Sequence, residues 1–534
     1  MSAIKFTIDG RPVQVEQGKT ILDGARHLGI DIPTLCYLEK CGPLNSCQAC
    51  LVKVVAQGGG RLVPSCGTAA TEGLVVESET TEVHEARRTA LELLFSDHVG
   101  DCLSPCHRLC PLLLNIPVMI RHIQGGHLAE AVATVCDTLP LPSVLGRLCH
   151  HPCEQGCRRG NWDSPAAIRD MEFFVAAENR AAPEPRLPIR KPASGKKVAI
   201  IGAGPAGLSV AWYLNRHGHT VVVMDRRAAP GGTLRDVPES DLPSEELASD
   251  IALLGRSGVE FKAGIELGAG ITIDDLTRDY DAVVLAVGEA GKTGTVNLGV
   301  AMAGTAVKTD PNNCRTNVAR VFACGGAVKP VKQVVRALAE GRAAAECVHL
   351  ALLNQEPRRP EKPFSSMMGR MDPGEIKEFL RSASPAKALV ACDRCRGLNR
   401  REASSEAARC LHCDCRSSGN CALQHYGQVY GAEASRFKSE RRRFEQQAQP
   451  AGVIFEPGKC ILCGICVKLA EMEMETLGLA FVGRGFDVRV AAPFGHAVND
   501  GLRKVAEECV RHCPTGALVF GDHPLNAPAQ LSGR

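Results

Sequence analysis

The chain has 534 residues, 45% apolar and 23% charged, an ordinary globular composition for roughly three to four domains. Lys and Arg total 62 against 59 Asp and Glu, and a net charge of +3 leaves no footprint for nucleic acid or an anionic membrane. No uninterrupted apolar run is long enough to span a bilayer, the opening MSAIKFTIDGRP lacks a signal-peptide core, and a cytoplasmic location is expected. Aromatic residues fall to 4% while cysteines number 26. In a reducing compartment, cysteines at short spacings read as metal ligands rather than disulfides. Chance would place C-x2-C-x2-C at roughly 0.06 sites in this length, so one such run already marks a metal protein.

Residues 1–80 alternate apolar and polar side chains (IKFTID, VQVEQ, LVKVV, GLVVES) between turn residues, the signature of a small sheet. Cys36, Cys47, Cys50 and Cys66 fall here as C-x10-C-x2-C-x15-C. Three thiolates on one loop and a fourth from a later strand suit a [2Fe–2S] cluster, with a zinc ribbon as the alternative. Cys41 is left out, because the gap from it to Cys47 breaks the plant-ferredoxin spacing. CYLEKCGPLNSCQACLVKV resembles the N-terminal ferredoxin domain of the large iron–sulfur subunit of respiratory complex I and its hydrogenase relatives, which implies a β-grasp fold.

Residues 81–190 open on a predicted helix, EARRTALELLF, and carry two triplets at i, i+4, i+8: Cys102, Cys106, Cys110 and Cys149, Cys153, Cys157. A continuous helix would align each triplet on one face, but Pro105 and Pro152 inside them favour cluster-wrapping loops. DCLSPCHRLCPLLLNIP and LPSVLGRLCHHPCEQGCRRG resemble the N-terminal cluster domain of glutamate synthase small subunits and dihydropyrimidine dehydrogenase. That resemblance implies a helical domain holding two [4Fe–4S] clusters with eight ligands, of which six are these cysteines. His98, in a His-x3-Cys pattern shared with complex I, and Glu172, near where the family uses a carboxylate or carboxamide, make eight. The competing readings are a surface histidine, a solvated glutamate, and Cys136 as a substitute ligand.

A Pro-rich linker, APEPRLPIRKPASG, leads into a strand–Gly turn–helix–strand pattern across 191–355. In KKVAIIGAGPAGLSVAWYLNRHGHTVVVMD, Gly202 makes the turn, Gly204 admits a pyrophosphate, Gly207 permits helix–strand packing and Asp225 is placed to accept from a ribose hydroxyl. Pro205 and Ala206 start a helix whose N-terminus faces the phosphates. GAGPAGL, APGGTL (with Gly232 and Thr233), YDAVVLAVG and VARVFACGG (with Gly325) resemble the FAD half of the glutamate synthase small subunit. This chain has Gly326 where that family has an Asp that binds the flavin's ribityl chain. The alternative occupant is NADPH, with Arg226 and Arg227 meeting its extra phosphate. Relatives insert an NAD(P)H-binding domain before the last FAD strand; here only about 30 residues separate AVG from VFACGG, and that domain is missing.

Residues 356–450 read as an irregular linker with a knot, Cys410, Cys413, Cys415 and Cys421. Four thiolates within twelve residues suit either a [4Fe–4S] cluster or a structural zinc. Cys392 and Cys395 form a further pair, and Cys314, Cys324 and Cys347 read as core. In 451–534, KCILCGICVKLA supplies Cys460, Cys463 and Cys466, and Cys513-Pro514 follows at a distance with Cys509 as a competitor. A tight-turn triplet plus one remote thiolate suits a [4Fe–4S] cluster, and the arrangement resembles the same complex I subunit.

Composition and motifs thus predict a multidomain α+β and α/β chain: a ferredoxin-like domain, a helical iron–sulfur domain, a Rossmann-like FAD domain and a C-terminal [4Fe–4S] domain. No acid–base pair, nucleophile elbow or substrate pocket stands out. The resemblances imply an electron-wiring subunit with FAD, one [2Fe–2S] and three to four [4Fe–4S] clusters. They imply as partners an NADH-oxidising flavin subunit and a dehydrogenase or hydrogenase subunit, and by analogy electron bifurcation. The competing classes are a self-sufficient NAD(P)H oxidoreductase and a zinc-bearing scaffold.

Overall fold

The alternation at the start of the chain has its cause in a five-stranded sheet. The computed structural model describes residues 3–56, 59–289, 298–389, 397–438, 441–447 and 452–521. The chain divides into two compact units, the first combining Met1–Ser104, Pro363–Arg381 and Cys413–Arg534, the second Pro105–Lys362 and Ser382–His412. The consecutive regions expected from the sequence are therefore interleaved. The stretch 81–190 is divided after Ser104, and 356–450 contributes to both units.

In the first unit the strand order is Arg11–Glu16, Ala3–Ile8, Val75–Glu77, Leu51–Ala56, Gly59–Pro64. Ala3–Ile8 runs antiparallel to Arg11–Glu16 and parallel to Val75–Glu77. Every second residue turns inward, so Phe6, Ile8, Val13, Val15, Val52 and Val76 form a core with Ile21, Leu22 and Ala25 of the helix Ile21–His27. Thr20 and Asp23 start that helix with a reciprocal capping box. A second core joins Leu91 and Phe95 of the helix Thr81–Ser96 to Leu35, Leu423, Phe455, Leu469 and Leu518. The antiparallel pair Val453–Phe455 and Leu518–Phe520 encloses the last cysteine group in sequence.

The second unit holds a fully parallel sheet in the order Glu260–Ala263, Thr220–Asp225, Lys197–Ile201, Ala282–Leu285, Val321–Ala323. Val198 and Ile200 on one face share a core with Leu112, Leu114, Met119, Leu145 and Phe174, so the helical cysteine-bearing segment and the sheet fold as one body. The helix Val334–Leu352 lies close against Pro205–Arg216 because Gly341 has no side chain: a Cβ there would sit 2.4 Å from the Ala206 carbonyl oxygen. Between Ala282–Leu285 and Val321–Ala323 the described residues form only the short hairpin Met302–Ala303 with Ala306–Val307. Most of GEAGKTGTV lies outside the described residues. The Pro-rich segment is not a free linker. Lys191 N–H donates to the Arg216 carbonyl at 2.8 Å and Ser194 N–H to that of Gly218 at 3.0 Å. Among the described residues no helix is long and apolar enough to cross a membrane.

Asp250, on the helix Ser244–Arg256, is a buried carboxyl that accepts from the Val144 N–H at 3.0 Å. It thereby serves the first turn of Pro142–Leu148, whose N-cap Leu141 offers no side-chain acceptor. Burial pushes this carboxyl up to about 7. The folded chain then holds a proton that the unfolded chain has lost, so stability falls as pH rises from about 4 to about 7. Asp250→Asn keeps an acceptor without the charge. It is expected to raise Tm at pH 8 by a few degrees and to flatten the decline between pH 5 and pH 8 in calorimetric scans.

Candidate cofactor sites

Cys36, Cys47, Cys50 and Cys66 converge as expected from their spacing. All four are buried. The Cys50 and Cys66 sulfurs are 3.3 Å apart, and the Cys47 N–H donates to Cys36 Sγ at 3.5 Å. Hydrogen bonding from Cys47 and then Cys66 holds the Cys36 thiol low, toward the thiolate that a metal requires. Cys41 turns away, with its sulfur 3.9 Å from Met472 Sδ.

Near the C-terminus, Cys460, Cys463, Cys466 and Cys513 line one recess with Phe455, Ile465 and Leu518. Cys513 lines this recess, whereas Cys509 Sγ donates to the Cys466 carbonyl at 3.8 Å. The Leu462 N–H donates to Cys460 Sγ at 3.4 Å, which requires Leu462 at φ 55°, a left-handed conformation unusual for a leucine. Gln48 (φ 54°) after Cys47, His151 (φ 38°) after Cys149 and His412 (φ 46°) after Cys410 repeat the device. Such residues cost about 1–3 kcal/mol each and concentrate where function needs them. Here they let the backbone wrap a sulfur, as when His412 N–H donates to Cys410 Sγ at 3.4 Å.

The group expected as one knot at Cys410–Cys421 spans the boundary between the units, with Cys410 in the second and Cys413, Cys415 and Cys421 in the first. Cys415 and Cys421 join Cys102 in the first unit: the Cys415 N–H meets the Cys102 carbonyl at 3.4 Å, and the three thiols act on one another electrostatically. Ser366 Oγ lies 3.3 Å from Cys102 Sγ, a contact with no sequence signal. His98, expected to serve a cluster of the helical domain, lies in the first unit four residues before Cys102. It is 7% exposed, and its Nδ1 has no hydrogen-bond partner. Burial, with help from Lys459 and Lys438, pushes the imidazole down to about 3 and keeps it neutral, the form that binds a metal. Cys410 instead packs against the core of the second unit, alongside Cys106, Cys153 and Cys157.

Glu172, on the helix Ile168–Ala181, is the other ligand inferred from resemblance rather than spacing. It is 7% exposed, has no hydrogen-bond or ion-pair partner among the described residues, and is pushed up to about 8 by burial. Its carboxyl acts electrostatically on Cys110, Cys149 and Cys153. Cys136 stands apart, accepting from Asn179 Nδ2 at 3.3 Å. Pro105 and Pro152 begin the short helices Pro105–Leu109 and Pro152–Gln155, so neither triplet rides one continuous helix. Cys314, Cys324 and Cys347 are buried in the core; Cys392 and Cys395 lie outside the described residues.

The dinucleotide turn is built by contact. Gly202 sits at φ 108°, and a Cβ on it would lie 2.3 Å from the Ala286 carbonyl oxygen; one on Gly207 would lie 1.9 Å from that of Gly202. Gly325 serves the same end, since its Cβ would meet that of Ala206 at 2.6 Å. The Ala203 and Arg227 N–H groups donate to the two Asp225 oxygens at 2.6 and 2.8 Å, so Asp225 first fixes the turn. Gly204, Pro205, Ala206, Asp225, Gly232 and Thr233 line one cleft. It opens beyond the carboxyl ends of the parallel strands, where such sheets take nucleotides. Arg227 is tied down by Asp236 at 3.0 Å and the Gly232 carbonyl at 2.8 Å, and so holds the glycine loop.

Residues 1–81 match the family described as a 2Fe-2S iron-sulfur cluster binding domain, 78–183 the dihydropyrimidine dehydrogenase domain II, 4Fe-4S cluster, and 177–341 the pyridine nucleotide-disulphide oxidoreductases. The chain thus joins iron–sulfur domains to an oxidoreductase-type dinucleotide domain. The β subunit of an NADP(+)-dependent formate dehydrogenase from Moorella thermoacetica is 39% identical over 209 residues, 35% of this chain and 29% of that protein. A glutamate synthase [NADPH] small chain from Mycobacterium tuberculosis is 36% identical over 192 residues, 35% of this chain and 39% of its own length. An NADPH-Fe(3+) oxidoreductase β subunit from Geobacter sulfurreducens is 37% identical over 193 residues, 35% of this chain and 28% of its own. The aligned stretches therefore cover well under half of each relative.

These residues fit the groups that the domains imply: buried thiols with N–H groups aimed at them, and a glycine turn facing open space. Gly204 decides this at the cleft. Its φ of −77° suits any residue, and a Cβ on it would meet nothing within 4 Å. Gly204→Val is therefore expected to leave Tm within about a degree of wild type while projecting its branches into the pyrophosphate space. Flavin released on denaturation should fall at least tenfold, with iron content unchanged.

Proposed function

We propose that this chain is the electron-relay subunit of a multi-subunit oxidoreductase, carrying FAD, one [2Fe–2S] and several [4Fe–4S] clusters. The observation that carries this reading is the order of the ligand sets inside the first unit. Cys36 acts electrostatically on Cys463, and Cys513 on Cys421. These two contacts support an order in which the set at Cys460–Cys513 lies between the Cys36 set and the His98/Cys102/Cys415/Cys421 set. One core embeds all three, containing Cys36, Cys47, Cys421 and Cys463. When bound, the clusters supply one-electron steps. The chain's own part is to keep these sulfurs as thiolates, exclude water and fix their spacing. Three relatives named as subunits or chains of NADP(H)-linked enzymes support a subunit role. The complex I-like ends favour an NADH-oxidising flavin partner on one side and a dehydrogenase or hydrogenase on the other.

The self-sufficient NAD(P)H reading is weaker on two counts. The described residues contain one glycine-rich dinucleotide turn, and Arg227, offered for an NADPH phosphate, is engaged by Asp236. The lone chain is expected to retain FAD yet oxidise neither NADH nor NADPH with an artificial acceptor until a flavin-bearing partner is added. Steady NADPH turnover by the lone chain, lost in Gly204→Val, would reverse the assignment.

The ligand sets make a second expectation. Anaerobically purified chain should carry iron and acid-labile sulfide for four or five clusters. In EPR spectra of the reduced protein, Cys102→Ser and Cys415→Ser should each remove the same [4Fe–4S] signal. Cys463→Ser should remove a different one, and Cys410→Ser should leave both. If Cys410→Ser and Cys415→Ser remove one common signal, residues 410–421 form a single knot after all.

A further inference from the structure

Lys459 is a buried lysine whose ammonium is held in a pocket beside thiols. It is 3% exposed and belongs to the first unit. Its ammonium pairs with Glu456, itself buried and also receiving Gln446 Nε2 at 2.8 Å. Two positions without side chains make its slot. A Cβ on Gly100 would lie 2.7 Å from Lys459 Cε, and one on Gly516 would lie 2.3 Å from Cys415 Sγ and 3.8 Å from Lys459 Cδ. The backbone on either side is latched. Val99 N–H donates to the Gly458 carbonyl at 2.7 Å, and Thr515 Oγ1 to that of Lys459 at 2.9 Å. His98 and Cys102 flank Gly100 in the chain, so the lysine stem runs between the segments that carry His98, Cys102 and Cys415. The remaining charged groups that face it or its neighbours are Asp414, Lys438 and Asp101.

We propose that Lys459 is a positioning cation that raises the reduction potential of the centre held by His98, Cys102, Cys415 and Cys421. Reduction adds one negative charge to that centre. A fixed positive charge in the same water-free interior stabilises the reduced form more than the oxidised one, and net charge nearby is one of the levers that set such potentials. Three thiolates and one neutral imidazole around a positively charged cluster core leave the loaded centre with a small net negative charge that reduction increases by one, and Lys459 is a cation placed beside it. This rests on the four-ligand reading above.

The test is an EPR-monitored redox titration of the full chain, purified anaerobically, with iron and sulfide counted in each variant. Lys459→Met should lower the midpoint of the signal that Cys415→Ser abolishes. The reduced-to-oxidised ratio at a fixed potential should fall about tenfold, a shift of about 59 mV for a one-electron centre. The [2Fe–2S] midpoint should stay in place, Lys459→Arg should restore the wild-type value, and Glu456→Gln should move the same signal upward. A fully loaded Lys459→Met protein whose midpoints are all unmoved would overturn the proposal. If Lys459→Met fails to load, an unmoved midpoint in Glu456→Gln overturns it instead. Failure of Cys415→Ser to remove any [4Fe–4S] signal would sink the ligand reading rather than the lysine's role.

Discussion

A cysteine binds metal as a thiolate, and a thiolate in a water-free interior needs donors aimed at its sulfur. That constraint explains more of this chain than any single domain does. Burial pushes Cys463, Cys466 and Cys421 well up, away from the thiolate, so each must be offset by backbone N–H groups or by the cluster itself. The backbone responds at a cost. Leu462, His412, His151 and Gln48 adopt left-handed conformations within two residues after a ligand cysteine, turning amides toward sulfur. The same need accounts for the neutral, partnerless imidazole of His98 and the uncompensated carboxyl of Glu172, groups that would be liabilities in a core without a metal centre beside them.

What could be read from the sequence follows the distance over which each feature is encoded. Strand alternation, the glycine turn and the sets at Cys36–Cys66 and Cys460–Cys513 are local, or local with one remote member, and their spacing identifies them. The group at Cys410–Cys421 is divided between the two units, so its short spacing does not by itself define a common centre. Cys415 and Cys421 find Cys102 across an intervening unit that leaves no trace in residue periodicity. A His-x3-Cys start at His98 and a C-x5-C finish at Cys415–Cys421 are the halves that the proposed site joins. Glu172 came from resemblance alone, since a glutamate in IRDMEFF has no distinguishing spacing. Ser366 and Lys459 carried no sequence signal at all, because a buried hydroxyl or ammonium is defined only by what surrounds it.

At the dinucleotide turn, the glycines do what their spacing requires, but Asp225 acts first on its own backbone. By accepting from Ala203 and Arg227 it sets the turn's shape. Arg227, bound to Asp236 and to the Gly232 carbonyl, extends the same bracing to the second glycine loop. The cleft is thus preorganised by groups that a motif reading assigns to the ligand. Gly204 is the exception, being free of any contact a side chain would disturb.

The chain passes between the two units four times, after Ser104, Lys362, Arg381 and His412. Two of these crossings fall inside cysteine motifs: Cys102 and Cys106 flank the first, and Cys410 and Cys415 flank the last. A motif read along the chain at those places mixes residues that belong to separate bodies. Spacing works as a guide to a metal site only where the whole motif stays within one unit, as it does for Cys36–Cys66 and for Cys460–Cys466.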